Sequence, residues 1–346
     1  MTKYILFADA SSPHTLKWLK EQAKHFDVYL ISLNGYSKEV LNYIDKSKLF
    51  VLNNKVNSKG GNYKLLLKFF ELKNIVTRVE PDVINAHFIS SYGFLASLIK
   101  MCKPEIFLLQ SAWGSDILVE PFRNKLRYLI AKYSLNKANL ITSDSYSMSD
   151  TIKKIVKDKE ISTFSFGLDK IDTQEYEKDN LIFSNRALND NYNVAEILNW
   201  FSKQSDIYSL VIANNGIQRE NLKNLSLELG IIDRVEFVGF LNTKEQDEYY
   251  KKSKYYISIP TSDATSVSLL EAMNFGCIPI VSNIASNREW IINNINGIFF
   301  KNDILLDNVS FSFNAVSINR EILNNKGLFK KSIKELNKKI EESLNE

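Results

Sequence analysis

The sequence predicts an α/β protein made of two parallel-sheet domains. Three observations carry that expectation. Short apolar runs alternate with longer stretches of helical periodicity, as βα units require. The 346 residues exceed what one hydrophobic core usually organises. The alternation also runs in two series, with the change near Gly167. In open α/β sheets ligands bind beyond the carboxyl ends of the strands. Two facing Rossmann-like domains would place that position in an interdomain cleft.

The first series begins with a strand at Tyr4–Ala8, a helix at Pro13–His25 and a strand at Val28–Leu33. Tyr63–Val79 has the spacing of a long amphipathic helix, and Glu80-Pro81-Asp82 turns the chain into a strand at Val83–Ala86. Phe107–Gln110 and Leu140–Thr142 are further strands. In the second series, strands are expected at Leu181–Ser184, Leu210–Ala213, Val235–Val238, Tyr255–Ile259 and Ile278–Val281. Helices are expected at Val194–Ser202, Gln218–Leu229, Lys244–Lys252 and Ser266–Phe275, and the periodic tail 324–346 reads as a terminal helix. The expected domains are residues 1–168 and 169–322, with 323–346 packing back on the first.

Composition bounds the function. Hydrophobic residues make up 45% and charged residues 24%, as in soluble globular proteins. A net charge of +4 is too small to imply a nucleic-acid partner. Cys102 and Cys277 lie in apolar contexts and read as buried small hydrophobes in a reducing compartment. With only 3 His, the chain offers no recognisable metal-ligand spacing. No signal peptide or spanning segment is legible, so a cytoplasmic location is expected.

The segment from Tyr255 to Val281 carries most of the chemistry. Pro260 ends the strand, a polar loop follows, and Leu269-Leu270-Glu271-Ala272-Met273 favours helix. Thr265 and Ser266 are good N-cap residues, and Gly276 suits a helix end that needs positive φ. A helix would then start at the carboxyl end of a strand. Its first amides, near Val267, Ser268 and Leu269, would make an anion site fit for a diphosphate. Glu271, one turn into the helix, is placed to reach ribose hydroxyls, and Asp263 in the loop is placed to meet sugar hydroxyls. The residues alone leave a plain capped helix as an equal alternative.

The pattern Asp263-x7-Glu271, with Ala272-Met273, Gly276 and Pro279-Ile280-Val281-Ser282, resembles the acid-x7-Glu signature of glycosyltransferase family 4. Asn287-Arg288-Glu289-Trp290-Ile291 and Asn296-Gly297 resemble its continuation. The resemblance covers nearly the whole chain and is strongest over residues 235–300. It implies the two-domain GT-B fold and retention of anomeric configuration. It also implies a nucleoside-diphosphate sugar donor, UDP-linked by family habit, with no metal cofactor. Carried over, Asp263 contacts the donor sugar and Glu271 binds the ribose. The family more often has Glu at the first position.

Other positions follow the same resemblance. Ile182-Phe183-Ser184-Asn185-Arg186 is similar to the strand and cation that open the family's second domain. The cation is needed where the diphosphate leaves as charge develops on its oxygens. Tyr192 stands where a Lys is common, six residues on. Gly239-Phe240 resembles the turn that faces the nucleotide base, and Asn214 ends a neighbouring strand. In the first domain, Ser12 and His14 occupy a loop that is glycine-rich in many members. His87 resembles a cleft histidine at a strand end. Trp113 replaces a frequent His and offers a ring face for a sugar. Asp116 is either an acceptor contact or an acid that fixes its loop. No general base is assigned.

Two stretches are basic and amphipathic. Phe122–Lys137 sets Phe122, Leu126, Leu129, Ile130 and Tyr133 among Arg123, Lys125, Arg127, Lys132 and Lys137. Tyr63–Arg78 sets Leu66, Phe69, Phe70 and Ile75 among Lys64, Lys68, Lys73 and Arg78. Such faces either stay solvated or lie on an anionic membrane, and the sequence leaves both open. The expected function is sugar transfer to a glycan or lipid-linked acceptor of cell-surface polysaccharide, lipopolysaccharide or another glycoconjugate. A sugar-nucleotide epimerase would need further acids, which are not identifiable. A non-catalytic sugar-nucleotide-binding protein is the remaining alternative.

Overall fold

The central strands of the first sheet, Lys3–Phe7, Val83–His87, Phe107–Ser111 and Leu140–Ser143, are buried along nearly their whole length, as strands covered on both faces are. The computed structural model describes residues 1–53, 63–311 and 314–345. They divide into two units, Met1–Phe164 with Lys330–Glu346, and Ser165–Phe329.

The first unit holds β1 (Lys3–Phe7), α1 (Pro13–Gln22), β2 (Asp27–Ser32), β3 (Leu49–Val51), α2 (Phe69–Val79), β4 (Val83–His87), α3 (Gly93–Cys102) and β5 (Phe107–Ser111). It continues with α4 (Ser115–Leu118), α5 (Glu120–Arg123), α6 (Lys125–Lys137), β6 (Leu140–Ser143), α7 (Tyr146–Ile155) and β7 (Ile161–Thr163). Its sheet has the order β3-β2-β1-β4-β5-β6-β7 and every pairing is parallel. The chain winds outward from β1 to β3, then returns to the other side of β1 with β4. That reversal makes β1/β4 the switch point where a site forms in such sheets.

The second unit repeats the plan with β8 (Asp179–Ser184), α8 (Val194–Phe201), β9 (Ser209–Ala213), α9 (Arg219–Glu228), β10 (Val235–Gly239), α10 (Thr243–Lys252), β11 (Ser253–Ser258) and α11 (Val267–Asn274). β12 (Ile278–Val281), α12 (Ala285–Arg288), β13 (Ile298–Phe299) and α13 (Ala315–Lys326) complete it, and α14 (Phe329–Asn345) ends the chain. The order β10-β9-β8-β11-β12-β13 is again parallel throughout and puts the switch point at β8/β11. Separate apolar clusters cover the two faces, one around Trp200 and Phe201 and one around Phe183, Tyr250 and Met273.

Several expectations are corrected. Tyr63–Val79 is not one α-helix. Tyr63–Lys68 is a tighter 3-10 segment, and the α-helix starts at Phe69. Phe122–Lys137 is broken at Asn124, which turns extended and caps α6 by accepting from the Arg127 N–H at 3.0 Å. The tail is two helices. The first of them stops before Gly327, where residues 327–329 bridge to Leu168 instead of continuing the helical ladder. So α13 stays with the second unit, and the boundary lies at 164/165 rather than 168/169. Glu346 lies outside the described residues. Cys102, the last residue of α3, is exposed, whereas Cys277 is buried. Among the described residues no helix is long and apolar enough to cross a membrane.

Candidate functional site

Three segments converge beyond the carboxyl ends of β8 and β11. β8 runs straight into Asn185 and Arg186. The loop after β11 carries Asp263, Thr265 and Ser266 into α11. Asp190–Tyr192 forms a short 3-10 turn nearby. The Arg186 guanidinium donates to Ser266 Oγ at 2.6 Å, to Tyr192 Oη at 2.9 Å and to Asp263 Oδ2 at 2.7 Å. It also lies 4.4 Å from the centre of the Tyr192 ring, a cation–π distance. Tyr192 thus stands in the place of a second cation and holds the first one.

Ser266 serves two purposes. Its hydroxyl accepts from Arg186 and also caps α11 through the Leu269 N–H at 3.3 Å. Leu269 is therefore not one of the free amides, because its N–H is taken by the cap. Those left at the helix start belong to Val267 and Ser268. Glu271 sits one turn further on and accepts from the Tyr250 hydroxyl at 3.2 Å.

The electrostatics favour a retained cation. Burial works against the charge of Arg186, but Asp263, with Tyr256 and Tyr192, raises its pKa above the ordinary arginine value. Burial pushes the Asp263 carboxyl up, only partly opposed by Arg186 and the Ala264 N–H. The guanidinium is thus the more securely ionised partner. An arriving polyanion would compete with Asp263 for it.

At the neighbouring strand ends, Gly239 adopts φ +78° and Phe240 presents a ring that is 73% exposed. Asn214, at φ +77°, turns its side-chain amide onto the Asn185 carbonyl at 3.3 Å. It braces β9 against β8.

In the first unit the predicted residues gather at the β1/β4 switch point. Ser12 caps α1, its hydroxyl accepting the His14 N–H at 3.3 Å. His14 keeps an exposed edge, and its ring centre is 5.1 Å from that of Trp113. Desolvation of the covered face and the Lys17 charge lower its pKa. His87 departs from the cleft contact expected of it. Only 1% exposed, it lies under Trp113 at 5.1 Å and Trp18 at 5.0 Å. Burial, with a contribution from His14, lowers its pKa from 6.5 to about 3 and holds it neutral.

Asp116 resolves to the loop-fixing role. It is 2% exposed and accepts the Ile89 N–H at 2.8 Å and the Trp113 N–H at 3.0 Å. Burial raises its pKa to about 6 against those donors. The sequence reading missed Phe88. It holds φ +65°, a strained value for a bulky residue, and stacks on Trp113 at 6.0 Å. It also missed Asn185, Tyr250 and Tyr256, which lie beneath Glu271. Each of these would have been visible only as a strand-end polar residue or a buried tyrosine.

Comparison with known proteins adds to this geometry. Residues 3–145 match the family model described as Glycosyl transferase 4-like, and residues 166–306 match that described as Glycosyl transferases group 1. An uncharacterised glycosyltransferase of Methanocaldococcus jannaschii is 32% identical over 90 residues, 26% of this chain and 23% of that protein. The alpha-monoglucosyldiacylglycerol synthase of Streptococcus pneumoniae is 30% identical over 94 residues, 25% of this chain and 21% of that protein. The matching stretch thus spans less than a quarter of either relative. The crystal structure of Anabaena HepE in complex with UDP has a TM-score of 0.79 at 11% identity, covering 99% of this chain and 100% of that one. That likeness is one of fold.

Proposed function

The chain belongs to the glycosyltransferases, through the 4-like family in its first half and group 1 in its second, and on that premise we propose that it moves a sugar from a nucleoside-diphosphate sugar to a glycan or lipid-linked acceptor with retention of configuration. The observation that carries this reading is Arg186, held by Asp263, Tyr192 and Ser266 at the free amides of α11. Cation and amides converge where a departing diphosphate would need them. In the proposed step the bond from the anomeric carbon to the diphosphate oxygen breaks. The acceptor oxygen bonds to the same face of that carbon, and its proton passes to the departing phosphate oxygen. Charge stabilisation is assigned to Arg186 and the amides, without a metal ion. Asp263 is assigned to the donor sugar and Glu271 to the ribose. Gly239 and Phe240 are assigned to the base, and Ser12, His14 and Trp113 to the acceptor or sugar.

UDP is the proposed nucleotide, supported by the UDP complex of the structurally similar HepE. Thermal shift and slow donor hydrolysis with UDP-, GDP- and ADP-sugars test the reading. One preferred donor is expected, with affinity reduced about tenfold or more by Glu271→Ala. Stabilisation by no nucleotide would remove the donor site.

The proposed acceptor belongs to cell-surface polysaccharide, lipopolysaccharide or a related glycoconjugate, reached at the inner face of a membrane. The synthase relative, named for a glucosylated diacylglycerol, supports a lipid acceptor. So do exposed apolar side chains on the first unit: Leu67 is 76% exposed, Phe70 71%, Phe122 60% and Leu126 67%. Right-handed crossovers place α2, α3 and α6 on one face of the sheet, with α3 touching both others. The helices run against the strands, so these side chains cluster at the carboxyl edge. Arg123 and Arg127 share the one Glu120 carboxylate and keep a net positive charge, which adds to that of Lys125, Lys132 and Lys137 on α6. Sedimentation with phosphatidylglycerol vesicles at low salt should carry the protein down, and Leu126→Asp with Phe70→Asp should leave it in solution. Wild-type protein that stays in the supernatant would sink the membrane proposal.

A further inference from the structure

A directed hydrogen-bond chain lies under Glu271. The Tyr256 hydroxyl donates to Asn185 Oδ1 at 3.1 Å. Gln246 Nε2 donates to the Leu241 carbonyl at 3.1 Å, so Gln246 turns its Oε1 toward Asn185 and requires the Asn185 amide nitrogen there. Asn185 Nδ2 then donates to Tyr250 Oη at 2.8 Å and to Gln246 Oε1 at 2.6 Å. With that lone pair engaged, Tyr250 has its one proton left for Glu271 Oε2, 3.2 Å away. Tyr250 and Tyr256 are fully buried, and Asn185 is 8% exposed. Burial, with the nearby Glu271 charge, keeps the Tyr250 phenol protonated by raising its pKa well above the ordinary value.

We propose that Tyr250 is the positioning residue for Glu271, oriented by Asn185 and Tyr256, and that it sets how strongly the protein discriminates between donors with and without ribose hydroxyls. The inference rests on the reading of Glu271 as the ribose acid. A carboxylate on a helix surface samples several rotamers, and one fixed donor selects among them. Holding Oε2 in this way sets the direction in which the carboxylate of Glu271 faces. The chain also links two tasks in adjacent residues: Arg186 serves the diphosphate, and Asn185 serves the acid that serves the ribose. Because α10 packs on β8 and β11, Tyr250 reaches Glu271 from a rigid element rather than a loop.

The test compares UDP with 2′-deoxy-UDP and 3′-deoxy-UDP by calorimetry, on wild type, Tyr250→Phe and Glu271→Gln. Wild type should bind UDP about tenfold more tightly than the poorer deoxy analogue, and Tyr250→Phe should shrink that ratio to roughly twofold. Tyr250→Phe keeps the ring and its packing, so affinity for the deoxy analogue should change little. An unchanged ratio in Tyr250→Phe overturns the proposal. So does an equal loss for all three nucleotides, which would mark a purely structural residue. Failure of wild type to bind UDP, with GDP and ADP as negative controls, would instead overturn the donor reading on which the proposal rests.

Discussion

Arg186→Ala is expected to lower kcat/KM for transfer by about 10²- to 10³-fold, the loss typical when a preorganised donor to a developing anion is removed. The side chain is held for this purpose before any donor arrives. Three contacts fix its plane, and Tyr192 stacks on one face. Arg186→Lys should recover little of the loss, because an ammonium cannot reproduce the planar fork that meets Ser266, Tyr192 and Asp263 together. A structural explanation for the loss is separable. Removing the guanidinium leaves Asp263 largely buried without its cation, at a cost of about 1–3 kcal/mol. Adding Asp263→Ala should restore most of that stability, read from denaturant midpoints, and should not restore transfer. If Arg186→Ala transferred sugar within threefold of wild type, the diphosphate site would lie elsewhere.

Much of this arrangement was legible in the sequence because it depends on local rules. β1, β4, β5, β8 and β11 announce themselves as short apolar runs. The start of α11 is marked by Ser266 and its end by Gly276, which adopts φ +81°. The spacing of Asp263 and Glu271 is local too. What was not legible depends on pairing across the chain. Arg186 and Asp263 are 77 residues apart, and nothing in either segment says that they form an ion pair. The role of Tyr192 as ring and acceptor for a guanidinium is invisible until the 3-10 turn at Asp190–Tyr192 is formed. Helix breaks at Asn124 and Gly327 were masked by apolar periodicity that continues through them. The strands β3, β7 and β13, of two or three residues, are too short to show any period.

A second large effect is expected from pH. His87 has a folded pKa depressed from 6.5 to about 3. Its contribution to stability is fully present above pH 6.5 and is lost as pH falls toward 3, because the unfolded chain takes up the proton first. The full loss is at most roughly 5 kcal/mol, at 1.36 kcal/mol for each factor of ten. Asp116 has the opposite sign. Its folded pKa is raised from 3.8 to about 6, so its contribution is present below 3.8 and is lost as pH rises through 6. Between about pH 6 and 4 the two terms nearly cancel. Below that range only the His87 term remains, and the first unit should lose stability steeply. His87→Gln removes that term alone. The difference in unfolding free energy between wild type and His87→Gln, from urea titrations at each pH, should be constant above pH 7. It should move against wild type by several kcal/mol between pH 6.5 and 3. A difference that stays flat from pH 7 to 4 would mean that burial does not hold His87 neutral. Because His87 carries no proton to give or take near neutrality, a titration of transfer activity near pH 6.5 has to arise from another group. His14, with its exposed edge at Trp113, is then the histidine to replace first.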